Sequence, residues 1–431
     1  MRRGTSSFVG VARSTAGARA LFAVAIIAGV TLAVVPIATA AYAAGGWYAP
    51  TRIDHHNWLT SVSCSSPTFC AAVDTLGNAV TYNGTRWSPP ATVDPGKAFS
   101  SASSVSCPSA TFCVAVDSSG HALIYNGTSW SAPTNIDNSD SVPSVSCPSA
   151  SFCVAVDFNG NALTYNGTSW SGPTNIDNSD SFASVSCPSA SFCVAVDFNG
   201  NALTYNGTSW SGPTNVVSDP LGGLTSVSCS SASFCAATNT YGFVATYNGS
   251  TWSAPTDINP IGYHSGGLGP VSCTSPSFCI AGDDLAVNLQ GYVQTYNGST
   301  WSAPTDADRA GTMASVSCPE ASFCAAVDFR GHAVTYGGLV ITTASLPGGT
   351  AGVTYSASLS ATGGNAPYTW RVAKGSKLPR GLKLRSSTGV ISGKPDAAGT
   401  STFTAQVADT KTTMAPHEHT TNTKVFTVTI S

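Results

Sequence analysis

The chain has 431 residues, a length that allows two or three domains. Hydrophobic residues make up 42% and suffice for a packed core, whereas charged residues make up only 9%, against about 25% in an ordinary soluble protein. The charge also divides by region: residues 46–338 contain five Lys or Arg and eighteen Asp or Glu, and residues 339–431 contain nine and three. The acidic first region argues against nucleic-acid binding, because phosphates require a basic surface.

Residues 1–44 are arranged like a secretory signal peptide. Four arginines flank the start of an apolar run at 21–37, and small residues suited to cleavage follow it, ending at Ala43 and Ala44. An uncleaved membrane anchor remains the alternative, since the run is near the lower length for spanning a bilayer. In both cases we expect the rest of the chain to lie outside the cytoplasm, and after cleavage we expect no membrane span.

One motif recurs seven times between residues 63 and 338. It consists of Ser-Cys, a Phe-Cys six residues later, an Asp-x-x-Gly turn, Tyr-Asn-Gly and Trp-Ser-x-Pro. The third copy begins at Ser146, and the seventh ends before its tryptophan. A repeat of roughly 40 to 45 residues predicts an array of similar supersecondary units.

The fourteen cysteines fall into seven pairs with the same spacing. The partners should face each other across a hairpin, within disulfide range, and an exported chain should be oxidised. Zinc binding is the alternative, but zinc sites usually have tighter cysteine spacing and include histidine. We therefore predict the disulfides Cys64–Cys70, Cys107–Cys113, Cys147–Cys153, Cys187–Cys193, Cys229–Cys235, Cys273–Cys279 and Cys318–Cys324.

Each unit contains four short alternating segments separated by turn residues, which predicts four antiparallel strands, a to d. Strand a is the Ser-Val-Ser-Cys run, b is Phe-Cys-Val-Ala-Val, c is Ala-Leu-Thr-Tyr and d begins at the tryptophan. Asn-Gly joins c to d and predicts a type I′ turn. The same Asn-Gly-Ser/Thr triplets are also glycosylation sequons. The seven blade tryptophans occupy one repeated position, where we expect packing rather than ligand binding.

Seven four-stranded units predict an all-β fold, a seven-bladed β-propeller over residues 45–338. The chain enters the array at 47–54, which matches strand d, and the last unit, 318–336, has strands a, b and c only. The N-terminal strand should therefore complete the seventh blade. An open solenoid would need capping repeats, which the sequence lacks.

Loop-length variation gathers on the propeller face that carries the b–c and d–a loops. The largest insertions, 259–270 and 283–291, belong to one sector of it, and variable loops on a rigid scaffold are usual binding sites. We predict that this face binds the ligand. The candidate residues are Tyr263, His264, Asp283, Asp284, Asn288, Gln290, Tyr292, His121 and His332.

Aspartates recur at two positions on the same face. An Asp that opens an Asp-x-x-Gly turn usually bonds its own backbone, whereas a cluster of oxygen ligands can bind a hard cation. Turn bonding and cation binding both remain possible interpretations of these aspartates. One set follows strand b (Asp74, Asp117, Asp157, Asp197, Asp283, Asp328) and another ends strand d (Asp54, Asp94, Asp137, Asp177, Asp308).

Residues 339–431 differ from the repeats. Their motifs include 346–350, 363–370, 378–382, 387–393 and 403–409. Together these resemble the He_PIG immunoglobulin-like module of bacterial surface proteins, which is related to cadherin-like domains, and the alternating strands also indicate a β-sandwich. The resemblance implies a bacterial surface or secreted protein and makes Asp409 a candidate calcium ligand, although this copy lacks a dense acidic set. The propeller resembles secreted bacterial propellers with Cys-paired blades, which imply no activity.

We predict a secreted or cell-surface binding or adhesion protein whose propeller holds a glycan, cell-wall polymer or extracellular protein. A structural scaffold without a small ligand is the alternative. A propeller glycosidase or lyase is a second alternative. It is disfavoured because such enzymes usually need paired carboxylates or clustered arginines, and the propeller has one Glu and dispersed arginines. No cofactor is expected other than calcium.

Overall fold

The computed structural model describes residues 46–431 except 49, 56, 95–103, 138–140, 178–180, 219–221, 259–267, 284–290, 309–310, 338, 363–366 and 410–420. The predicted signal segment lies outside the described residues. Every regular element in the described part of the chain is a β-strand. No helix there is long and apolar enough to cross a membrane.

The first complete blade follows two short N-terminal strands, β1 (Gly46–Trp47) and β2 (Thr51–Arg52). It contains β3 (Leu59–Ser66), β4 (Phe69–Asp74), β5 (Asn78–Tyr82) and β6 (Ala91–Thr92), paired in chain order as an antiparallel sheet. These are the predicted strands a, b, c and d. Strand b is buried along nearly its whole length, as a strand between two neighbouring blades requires.

Blades two to six repeat this four-stranded order. Blade two has β7 (Ser104–Ser109), β8 (Phe112–Val116), β9 (His121–Tyr125) and β10 (Thr134–Asn135); blade three has β11 (Ser144–Ser149), β12 (Phe152–Val156), β13 (Asn161–Tyr165) and β14 (Thr174–Asn175). Blade four has β15 (Phe182–Ser189), β16 (Phe192–Asp197), β17 (Asn201–Tyr205) and β18 (Thr214–Asn215). Blade five has β19 (Leu224–Ser231), β20 (Phe234–Asn239), β21 (Phe243–Tyr247) and β22 (Thr256–Asp257); blade six has β23 (Leu268–Ser275), β24 (Phe278–Asp283), β25 (Gly291–Tyr296) and β26 (Thr305–Asp308).

The seventh blade is built from both ends of the repeat array. Its first three strands are β27 (Met313–Glu320), β28 (Phe323–Asp328) and β29 (His332–Gly337). Both β1 and β2 pair antiparallel with β29, with Trp47 opposite Tyr336 and Arg52 opposite His332. The prediction that the N-terminal segment closes the ring is confirmed.

Serine hydroxyls join each strand a to strand a of the next blade. The serine before each first cysteine accepts a hydrogen bond from the backbone N–H of the corresponding cysteine in the following blade, at N···O distances of 2.9–3.0 Å. The seventh bond, from Cys64 to Ser317, crosses the seam between blades seven and one. The acceptors are Ser63, Ser106, Ser146, Ser186, Ser228, Ser272 and Ser317.

Aromatic side chains also connect neighbouring blades, at positions further from the centre of the propeller than the serines. The phenylalanine of each strand b lies beside the strand-c tyrosine of the next blade, with ring centroids 6.0–6.3 Å apart, and Phe323 with Tyr82 completes the circle. Each of these tyrosines also contacts the tryptophan of its own blade, at 5.2–5.5 Å. The blade tryptophans therefore serve packing, as the repeat predicts.

A disulfide joins strands a and b in every blade, in the seven pairs that the spacing predicts. The paired Cα atoms lie 3.9–4.1 Å apart. Both cysteines of each pair are buried, the second completely. In the chain-entropy model, closing so short a loop contributes about 2 kcal/mol per bridge.

The c–d connection differs from the predicted type I′ turn. The bridge between Tyr82 and Trp87 leaves a four-residue loop rather than a two-residue one. Asn83 organises this loop through its side-chain Oδ1, which accepts the N–H groups of Thr85 and Arg86 at 3.1 and 3.0 Å. Gly84 supplies a positive φ of 88°. The type I′ prediction was wrong because the loop holds four residues and the asparagine side chain closes it.

The C-terminal region is a β-sandwich with a core of its own. Its strands are β30 (Val340–Ile341), β31 (Tyr355–Ser358), β32 (Ala361–Thr362), β33 (Thr369–Val372), β34 (Leu382–Leu384), β35 (Val390–Gly393), β36 (Gly399–Ala408) and β37 (Thr421–Ile430). One three-stranded sheet has the order β31-β35-β34 and another the order β33-β36-β37, while β30 pairs with β32. Trp370, Ile391, Phe403 and Phe426 are buried in the core of the sandwich.

We expect Ser317→Ala to lower the unfolding free energy by about 1 kcal/mol, because the buried Cys64 N–H loses its acceptor at the closing seam. Urea denaturation monitored by tryptophan fluorescence measures the change. Ser109→Ala is the matched control, since that hydroxyl bonds only to Thr111 in its own hairpin and joins no two blades. Equal stability of Ser317→Ala and wild type would contradict a structural role for the closing bond.

Candidate functional site

The predicted site residues are only partly described by the structure. Tyr263, His264, Asp284, Asn288 and Gln290 lie outside the described residues, and for Asp283 only its place at the end of β24 is described.

The three remaining candidates occupy repeat-equivalent positions on different blades. Tyr292 is half-buried in β25, while His121 and His332 begin β9 and β29. The two histidines therefore stand on blades two and seven, which are not neighbours, and do not form a shared site.

The aspartates after strand b close their own turns. Asp74 Oδ1 accepts the backbone N–H groups of Leu76 and Asn78 at 2.9 and 2.8 Å, and Oδ2 accepts the Asn78 side-chain amide at 2.7 Å. His121 and His332 replace that amide, placing Nδ1 2.9 and 2.8 Å from the corresponding Asp Oδ2. The backbone-bonding interpretation therefore holds for these turns, and the side chain of the residue after the turn glycine contacts the carboxylate as well.

Two seams bring a histidine and two aspartates within 4.8 Å of one another. The groups are Asp94, Asp117 and His121, and Asp308, Asp328 and His332. Carboxylate and imidazole atoms at these distances can ligate a divalent cation. However, the same turn is bonded by asparagine in blades one, three and four, so the blade architecture accounts for the histidine contacts without a metal.

At the closing seam, two buried carboxyl groups share a hydrogen bond. Asp54 ends the seventh blade, Asp74 belongs to blade one, and both are nearly inaccessible to solvent. Burial, and then the hydrogen bond with Asp54, raise the pKa of Asp74, against the opposing effect of the Asn78 donors. The protonated form of Asp74 is therefore more favourable than that of an exposed aspartate.

A groove opens on the outer side of this seam, between blades seven and one. It has a volume of about 530 Å³, within the range of about 300 to 1,000 Å³ that ligand pockets usually have. Its blade-seven wall includes Tyr48, Thr51 and Arg52, and its blade-one wall includes Arg86 and Trp87. Two arginines from different blades thus line one concave surface.

The sandwich contributes Tyr368 to the same groove. Burial raises the pKa of Tyr368 well above the usual tyrosine value, and Tyr82, Tyr48 and Asp409 raise it further. The phenol therefore stays protonated at neutral pH. Asp409, the predicted calcium candidate, is 5% exposed and lies near this tyrosine.

An equivalent groove lies between blades five and six, with a volume of about 410 Å³. Repeat alignment places Ser253, Asp257 and Thr300 there at the positions of Tyr48, Arg52 and Arg86. The five–six groove therefore carries an acidic side chain where the seven–one groove carries a basic one. The chain contains its own comparison site, with the same backbone arrangement and different chemistry.

Sequence reasoning missed the seven–one groove. A usable signal existed: Arg52 and Arg86 replace small or polar residues at two repeated positions, and the predicted closure makes blades seven and one neighbours. In the sequence the arginines are dispersed over several blades, and loop-length variation favours the blade-six sector instead. Tyr368 lines the groove only because of where the sandwich lies relative to blades seven and one, and the sequence does not show that position.

The structure is thus a seven-bladed propeller followed by an immunoglobulin-like sandwich, with a lined groove between two blades, an architecture compatible with a binding or scaffold protein. Residues 338–431 match the family described as Putative Ig domain. This agrees with the resemblance found in the sequence. The disulfides and the immunoglobulin-like domain are compatible with an extracellular location.

Solved propellers share the fold at low sequence identity. The WD40 repeats of RRP9 align with a TM-score of 0.56 and 11% identity, covering 68% of this chain and 99% of that one. YCF48 bound to D1 peptide aligns with a TM-score of 0.54 and 14% identity, covering 68% and 94%. The WD40 propeller domain of Doa1 gives 0.55 and 10%, covering 68% and 96%. No curated protein shows significant sequence similarity to this chain.

We expect Asp54→Asn to stabilise the protein more at pH 7 than at pH 4. The raised pKa of Asp74 means that the folded state retains a proton which the unfolded state releases above the ordinary value of 3.8, so unfolding free energy falls as pH rises through this window. The introduced amide donates to the Asp74 carboxylate and favours its charged form. Melting temperatures at the two pH values measure the effect.

Asp396→Asn, which removes an exposed carboxylate from the sandwich, is the control for the loss of one charge. A difference between Asp54→Asn and wild type that is the same at both pH values would show that the carboxyl pair is not the cause.

Proposed function

We propose that this protein is secreted and binds a glycan in the groove between blades seven and one, with the sandwich as a spacer or attachment module at the cell surface. The observation that carries the proposal is the groove lining: aromatic side chains from two blades and the sandwich surround a few polar groups. Such a mixture, in a preformed cleft, is typical of small-ligand sites.

The repeated residues of the propeller support placing binding here. The serines, disulfides, turn aspartates and aromatic pairs each form structural contacts between or within blades. Selection of a particular ligand therefore depends on positions at which a blade departs from the others. Tyr48, Arg52 and Arg86 are three such departures, and all of them line this groove.

The aromatic walls suit a sugar ring. Trp87 and Tyr48 are half-buried, so each offers part of its ring to the groove while the rest packs against the protein. The apolar C–H face of a sugar can pack on such a surface, while hydroxyl groups bond to neighbouring polar atoms. Rigid aromatic walls also lose little conformational entropy on binding. The proposal includes no catalytic step.

A substitution that fills the groove tests the proposal. Thr51 is exposed, pairs with Ala333 in β29 and lines the seven–one groove. We expect Thr51→Trp to weaken glycan binding by at least about tenfold, because the indole occupies ligand volume and tryptophan is well accepted in strands. A glycan array with residues 45–431, followed by calorimetry on the bound glycan, measures this.

Thr256→Trp is the matched control, since Thr256 is exposed, pairs with Val244 and lines the five–six groove. It should bind like wild type. Equal affinity of both variants and wild type would place the glycan elsewhere. If the folded wild-type protein binds no glycan on the array, with or without calcium, the scaffold alternative is favoured.

A further inference from the structure

We propose that the glycan is acidic, and that Arg52 and Arg86 together bind its negatively charged group. This inference rests on the proposed function and adds the chemical class of the ligand. The shared chemistry is an anionic group on a sugar polymer, either a carboxylate or a phosphate. Guanidinium groups present several N–H donors in a planar arrangement that matches both.

Both arginines are exceptions within the repeat. The other six blades have Thr92, Asn135, Asn175, Asn215, Asp257 and Asp306 at the position of Arg52. The five other complete c–d loops have Ser129, Ser169, Ser209, Thr251 and Thr300 at the position of Arg86. Since these blades fold with small or uncharged residues, and even with aspartate, neither position requires arginine for blade structure.

The two arginines line one groove of a propeller that is otherwise acidic. Residues 46–338 contain only five Lys or Arg against eighteen Asp or Glu, yet two of the five line one groove. In the part of the chain that the structure describes, no carboxylate forms an ion pair with either guanidinium. The groove is therefore a positively charged site on an acidic propeller, which would otherwise repel an anionic polymer.

The local contacts position one arginine and leave the other accessible. Arg52 donates from Nε to the Asp54 carbonyl at 3.3 Å and from Nη2 to the His55 carbonyl at 3.1 Å, so its guanidinium is held beside the loop after β2. Arg86 is exposed in the c–d loop of blade one. A fixed donor on one wall and an adjustable donor on the other can enclose one anionic group.

The sandwich carries a second basic groove, of about 650 Å³, lined by Lys374, Lys377 and Arg380. Arg380 lies 3.8 Å from the Asp396 carboxylate, but both side chains are largely exposed, so the pair contributes little. A polymer with an acidic group on each repeat unit could also contact this groove. Substitutions in this second groove are therefore needed to show which of the two grooves binds the polymer.

The test measures binding of polygalacturonate, a phosphate-bearing polyol polymer and neutral dextran to residues 45–431 by biolayer interferometry. We expect the wild type to bind at least one acidic polymer and to bind dextran more weakly or not at all. Arg86→Ser, which installs a residue found in three other blades, should weaken acidic-polymer binding about tenfold, as loss of a charged hydrogen bond predicts. Arg86→Lys should retain more binding than Arg86→Ser, and added salt should reduce wild-type binding.

The matched control is Thr300→Ser in the five–six groove, which should leave binding unchanged. The location control is Lys374→Ala combined with Lys377→Ala. If these sandwich substitutions abolish binding while Arg86→Ser and Arg52→Asn do not, the seven–one groove is not the anionic site and the inference is overturned. The melting temperature of each variant establishes that it folds.

The outcomes also separate this inference from the proposed function. Binding of dextran or other neutral glycans that Thr51→Trp abolishes, without preference for the acidic polymers, would overturn the acidic class and leave the glycan-binding function standing. If the folded wild-type protein binds neither the acidic polymers nor any neutral glycan, the inference and the proposed function are both overturned. Binding of the phosphate polymer alone would support the inference and identify phosphate as the anionic group.

Discussion

Hydrogen bonds between neighbouring first strands hold the ring together, and each seam has one between a serine and a cysteine. In each one, a serine hydroxyl accepts the backbone N–H of the next blade's cysteine, and the last bond joins Cys64 to Ser317. A first strand has a sheet partner on one side only, so its other backbone groups face the next blade and need an acceptor. The short Ser-x-Ser-Cys run supplies that acceptor, while the disulfide fixes strand a to strand b.

This arrangement determines where function can reside. A repeated residue that completes a seam bond or a turn cannot change without weakening the ring, so such residues are unavailable for ligand selection. His121 and His332 illustrate the limit, because their Nδ1 atoms perform the same turn bonding that Asn161 performs in blade three. Variation is tolerated at exposed positions of strand d and of the c–d loop, and both arginines of the groove occupy such positions.

Much of the fold could be predicted from the sequence, because each repeated motif has a local physical cause. Cysteine spacing predicts the disulfides, and the strand-d match at residues 47–54 predicts closure. The c–d loop was predicted wrongly because Asn-Gly alone does not distinguish a two-residue turn from a loop closed by the Asn83 side chain. The groove was missed because its walls come from opposite ends of the array and from the sandwich, and adjacency of that kind emerges only when the ring is assembled. The blade-six candidates remain a prediction.

The seam that closes the ring differs from the other six in a way that favours a ligand site. Its outer strand comes from the N-terminal segment, and Tyr48 takes the place of the usual serine, donating its hydroxyl to the Gly337 carbonyl where the propeller leads into the sandwich. The same short segment therefore completes blade seven, contacts the exit of the propeller and presents Arg52 to the groove. The chain runs from β2 directly into blade one, so Arg52 and Arg86 belong to one continuous segment, and closure itself depends on the pairing of β1 and β2 with β29. A ligand site at this seam therefore uses substitutions in the closing segment and in the blade that follows it, while the contacts that shut the ring stay separate from the ligand.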